Sequence, residues 1–103
     1  MIKINVNSET SVYHLEGSIE HYEASTCKEI FKECLESNTG SSIEVDLSKL
    51  ESVSSVTLSF LLFGLRLAKT LGSQINYQNI PPVLFNMARV SGIESFLLKK
   101  KES

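Results

Sequence analysis

Residues 43–72 read IEVDLSKLESVSSVTLSFLLFGLRLAKTLG, and this stretch decides the fold. Ile43, Val45 and Leu47 alternate with Glu44 and Asp46, the period of two expected of a half-buried strand. Residues 48–54 are rich in serine and read as a loop. From about residue 55 the spacing changes to helical and holds to Leu71, and Gly72 closes the segment. A strand, a short loop, an amphipathic helix and a glycine make one βα unit. A parallel partner strand must follow it if the helix is a crossover.

On the C-terminal side, Ile75 to Gln78 reads as that strand. Pro81 and Pro82 suit the first turn of a helix, where a missing N–H is tolerated. Val83, Leu84, Met87, Ala88 and Val90 carry this helix to Gly92. Phe96, Leu97 and Leu98 suggest a short last strand. On the N-terminal side, Ala24, Cys27, Ile30, Phe31, Cys34 and Leu35 fall at helical spacing, with charged residues between them. Thr26 with Glu29 is a candidate capping box, with Ser25 competing for the cap. Before it, Ile2, Ile4 and Val6 alternate with polar residues, and residues 12–16 read as a second strand, giving a hairpin. The expected order is β-β-α-β-α-β-α-β. The fold class is α/β, a mostly parallel sheet of four to five strands with an N-terminal hairpin and three to four helices.

A chain of 103 residues suits one domain with one core. Residues 1–98 are expected to form it, and residues 99–103 a short charged tail. The net charge is −2. That balance gives no long-range attraction to a polyanion, so nucleic acid is not an expected partner. No apolar signal region opens the chain, and the apolar run near residues 58–67 is broken by Ser59, Gly64 and Arg66. A cytoplasmic location is the expectation. Cys27 and Cys34 lie seven apart on one helix, roughly 10 Å along its axis, beyond the reach of a disulfide. They have no zinc spacing to His14 or His21, so no metal is expected.

The central helix has two apolar stripes. Placed at about 100° per residue, Leu58, Leu61, Leu62 and Leu65 share one face, expected to lie on the sheet. Val56, Phe60, Phe63 and Leu67 fall on the other side. Two roles are open for that second stripe: cover by a neighbouring helix such as 83–90, or a docking surface for a partner. The serine-rich start, Ser54, Ser55, Val56 and Thr57, is suited both to N-capping and to docking. Asp46 alone at a strand end suits turn hydrogen bonding better than catalysis. No nucleophile–base pair, metal set or phosphate-cradling glycine loop is present, so the chain is not read as an enzyme, and neither a cofactor nor a small-molecule substrate is implied.

The ordered set of motifs resembles the STAS domain family, shared by sulfate transporters and anti-sigma-factor antagonists. Asp46-Leu47-Ser48 matches the family's opening strand end. Leu50 and Val53 match its apolar positions, and Pro82, Val83, Met87 and Ser91-Gly92-Ile93 its last helix. Within the family, the likeness is to the small STAS subunit of the bacterial Mla phospholipid transport complex, which binds the ATPase of an ABC transporter. The run Leu65-Arg66-Leu67-Ala68-Lys69 is similar in style. The loop departs from the pattern: Ser54 stands for the family's Asp, Val56 for its phosphorylatable Ser and Thr57 for its Gly. Ser55 keeps a hydroxyl and is the position where phosphorylation would fall.

The resemblance implies a non-enzymatic adaptor that stabilises or activates an ABC ATPase, attached to the inner membrane only through that partner. Its partner-binding residues would be Ser54, Ser55, Val56, Thr57, Phe60, Phe63 and Leu67. The alternative it leaves open is an anti-sigma-factor antagonist that binds an anti-sigma kinase and is regulated by loop phosphorylation.

Overall fold

The decisive strand is longer at both ends than its alternation predicts, running Ser42–Leu50. It is the third strand, β3, of a four-stranded sheet ordered β1-β2-β3-β4. β1 is Lys3–Asn7, β2 is Val12–Gly17 and β4 is Gln74–Gln78. β1 and β2 form the antiparallel hairpin, whereas β2–β3 and β3–β4 pair in parallel. Three helices follow in turn: α1 (Ala24–Glu36) between β2 and β3, α2 (Ser55–Thr70) between β3 and β4, and α3 (Pro82–Val90) after β4. The computed structural model describes residues 2–7, 9–51, 53–90 and 92. The expected strand at 96–98 and the charged tail at 99–103 lie outside them.

The hairpin turns on Asn7, whose Oδ1 accepts from the N–H groups of Glu9 and Thr10 at 2.9 and 3.3 Å. Such a side chain mimics a backbone turn. The expected capping box at Thr26 and Glu29 does not form. A 3-10 turn at His21–Glu23 runs straight into α1, and the box sits there, between Glu20 and Glu23. Thr26 is therefore already inside the helix, with no cap left to make.

Right-handed crossovers that advance one strand at a time place their helices on one face of the sheet. That face carries Leu15, Ile43, Val45, Leu47, Ile75 and Tyr77, all buried. Cys27, Phe31 and Leu35 of α1, much of α2, and Leu84 and Ala88 of α3 pack with them in one core. The strand register brings Asn5, His14, Asp46 and Gln78 side by side on the other face.

α2 lies on the sheet about a quarter turn away from the face its leucines suggest. Its buried residues are Thr57, Leu58, Phe60, Leu61, Gly64 and Ala68, while Leu62 and Leu65 are only half-buried. The reason is the small stripe at 57, 64 and 68, which lets the helix approach its neighbours closely. A Cβ on Gly64 would come within 2.3 Å of Phe31 and 2.7 Å of the Tyr77 hydroxyl. Here α1, α2 and β4 meet. The Tyr77 hydroxyl donates to the Leu61 carbonyl at 2.7 Å, and full burial pushes its pKa well above the ordinary value.

Candidate functional site

Ser54 is extended, with φ −152°, and its Oγ accepts from the Val56 N–H at 3.2 Å. The Thr57 Oγ1 in turn accepts from the Ser54 N–H at 3.2 Å, closing a capping box. The cap thus uses Ser54 and Thr57, and Thr57 is buried in doing so. Ser55 takes no part in the box. It is exposed on the first turn of α2, with Val56 half-buried beside it. Capping and surface presentation are divided between neighbouring residues of the same cluster.

Below Ser55, α2 and α3 leave an apolar groove of about 430 Å³. Ser55 and Leu58 line one wall, and Val83, Asn86, Met87 and Val90 the other. Val83, Met87 and Val90 recur at helical spacing on the outward side of α3. Val83 is 55% exposed and Val90 is 87% exposed, unusual for apolar side chains of this size. Leu84 and Ala88, one residue on from Val83 and Met87, are fully buried. α3 therefore has an apolar side facing the core and a second apolar side facing outward.

The second stripe of α2 runs along the opposite flank, toward α1. The expectation that Phe60 meets a partner is corrected here. Phe60 is 1% exposed and stacks on Phe31 of α1, with ring centroids 4.9 Å apart. A neighbouring helix does cover it, but that helix is α1, not the 83–90 helix. Thr57 is likewise inaccessible. Phe63 and Leu67 are half-buried, and the Lys28 ammonium of α1 lies 5.5 Å from the centre of the Phe63 ring.

On the far side of the sheet, Asp46 is 5% exposed and is more than a turn residue. Its Oδ1 accepts from Asn79 Nδ2 at 2.6 Å and from the Ser48 N–H at 3.4 Å. Its Oδ2 accepts from Ser48 Oγ at 2.7 Å and from His14 Nδ1 at 2.9 Å. His14 is thereby tied into the sheet. A register shift between β2 and β3 helps, because β3 inserts an extra residue next to Asp46. Burial alone would raise the Asp46 pKa. The hydrogen bonds from Asn79, Ser48 and His14 outweigh it and lower the pKa to about 2. The ionised carboxylate only accepts, so His14 Nδ1 carries the proton in this contact. Nearby, Glu44 is held by the amides of Asn76 and Gln78 at 2.8 and 2.7 Å.

Cys27 and Cys34 are free thiols. Burial raises the Cys34 pKa despite a hydrogen bond with Tyr13, the opposite of what an activated nucleophile needs. No group of three or more His, Cys, Asp or Glu suited to a metal occurs among the described residues. No helix among them is long and apolar enough to cross a membrane.

The capped, serine-rich start of α2 is legible in sequence; the groove with α3 and the Asp46 cluster are not. The available signal for the groove was the pair of offset apolar sides on residues 83–90. For the Asp46 cluster, only the strand register reveals that His14, Asp46 and Asn79 meet. No curated protein matches the chain. The family model described as "Mlab, STAS domain" matches residues 2–99. With its βα order, hairpin, single-faced helices and serine-capped central helix, the chain belongs to the MlaB-type STAS domain family, a family of protein-interaction domains.

Proposed function

We propose that this chain is a non-enzymatic adaptor that docks on the ATPase subunit of a phospholipid-transporting ABC complex. The observation that carries this reading is the apolar groove beside exposed Ser55, rimmed by Val83, Met87 and Val90. An apolar concavity next to an ordered helix start fits insertion of a partner side chain, with the Ser54–Ser55 edge supplying polar contacts. Val56 lies at the top of the face. Phe63 and Leu67, half-buried on the α1 flank, lie outside this face. Membership of the MlaB-type family supports the choice of an ABC ATPase as partner. The adaptor acts by differential affinity: it stabilises the ATPase conformation that it binds better. It works in the cytoplasm and reaches the inner membrane through its partner alone.

Affinity capture from membranes solubilised in mild detergent tests this, with the captured proteins identified by mass spectrometry. Wild type is expected to recover an ABC ATPase with its permease, and Ser55→Glu to lose both. Recovery of a soluble anti-sigma kinase in their place, with phosphate transferred to Ser55, would replace the adaptor reading by the signalling one.

A further inference from the structure

The segment from Asn79 to Val90 is lightly held. α3 has nine residues and fully buries only Leu84 and Ala88. The chain enters it through Asn79, whose φ of 55° is left-handed, and then through Ile80, Pro81 and Pro82. Asparagine tolerates that conformation better than most residues. Among the described residues, the one side-chain hydrogen bond from this segment to the rest of the domain is Asn79 Nδ2 to Asp46 Oδ1, at 2.6 Å. The same carboxylate holds Ser48, at the end of β3 before the loop that leads to the Ser54 cap. It also holds His14 of β2. One buried group thus binds the approaches to both walls of the groove.

We propose that Asp46 is a positioning residue, a latch that fixes α3 relative to α2 and so sets the shape of the groove. The four contacts saturate its acceptor sites, roughly four lone pairs in all. Every donor therefore depends on the same ionised group, and removing its charge loosens both approaches together. A hydrogen bond to an ionised carboxylate is worth roughly a ten- to hundredfold shift in a local opening equilibrium. Asp46 itself does not line the groove. Its relevance to docking rests on the adaptor reading above; its effect on α3 does not.

Two variants of the full chain test it. Asn79→Gly keeps the left-handed backbone without strain and deletes only the amide. Asp46→Asn keeps the shape but can set an amide donor against the Asn79 amide. Amide hydrogen exchange is followed across the domain. In both variants the amides of residues 86–90 in α3 are expected to exchange at least tenfold faster, at a rate that depends little on low concentrations of urea, as a local opening requires. Exchange in α3 that stays at the wild-type rate in Asn79→Gly would overturn the latch. So would α3 exchange in that variant that rises with urea as steeply as exchange in α1, which marks opening by global unfolding. Binding of Asn79→Gly to the ABC ATPase separates the two claims. If α3 loosens and affinity is unchanged, the latch stands and the groove is not the docking site. If α3 loosens and affinity falls at least tenfold, both stand.

Discussion

The two flanks of α2 are both apolar and are packed in opposite ways. On the α1 flank, Phe60 stacks on Phe31, Gly64 lets the Phe31 ring and the Tyr77 hydroxyl sit against the helix backbone, and no room remains. On the α3 flank, Leu58 and Ser55 face Val83, Met87 and Val90 across an open groove. Apolar content does not separate them; packing does. The tight flank has small residues at the crossing and aromatic rings to fill the space around them. The loose flank has medium-sized aliphatic side chains on both walls and nothing of this domain's described residues between them. Phe60 therefore serves stability, and the aliphatic edge is the one proposed for recognition.

The largest expected effect breaks the tight flank. Phe60→Ala should cost about 4 kcal/mol in urea unfolding, since it empties a fully buried ring site, whereas half-buried Phe63→Ala should cost about 1 kcal/mol. Equal losses would mean that the two rings are packed alike and the contrast between them is false. Next comes Gly64→Ala, whose added carbon meets a buried ring at 2.3 Å. Overpacking there should cost about 3 kcal/mol and lower the Tm by roughly 15 °C.

Asp46→Asn sharpens the comparison through pH. The folded-state pKa of Asp46, about 2, lies below its ordinary value of 3.8. Its contribution is therefore complete above about pH 4 and lost as pH falls through about 2. The variant should be about 2 kcal/mol less stable than wild type at pH 7, with the difference shrinking toward zero near pH 2. A gap that persists unchanged at pH 2 would assign the loss to shape instead of charge. The smallest effect on stability belongs to the loose flank. Val83→Asp, at the exposed groove wall, should change unfolding free energy by less than about 0.5 kcal/mol.

Much of this was written in the sequence. Period-two and period-3.6 patterns located the four strands and three helices to within a few residues, because each element buries one regular face. What escaped was which side of α2 faces the sheet. The leucines mark one face and Thr57, Gly64 and Ala68 another, and close approach is set by the smallest residues as much as by the greasiest. Phe60 therefore meets α1 and not a partner. The serine-rich helix start was visible, but not the division of labour within it, since capping depends on backbone angles at Ser54. The Asp46 cluster joins residues 14, 46 and 79, which no local window spans. Its members become neighbours only once the register of three strands is fixed.

The central claim is that the α2–α3 edge is the docking face and the α1 side is not. It is tested most directly by the Kd of the ABC ATPase for Met87→Asp and for Ile30→Asp, a partly exposed position on α1, both against wild type. Met87→Asp is predicted to weaken binding at least tenfold and Ile30→Asp to leave it unchanged. Weakening by Ile30→Asp with wild-type affinity for Met87→Asp would contradict the account and move the docking face to the other flank.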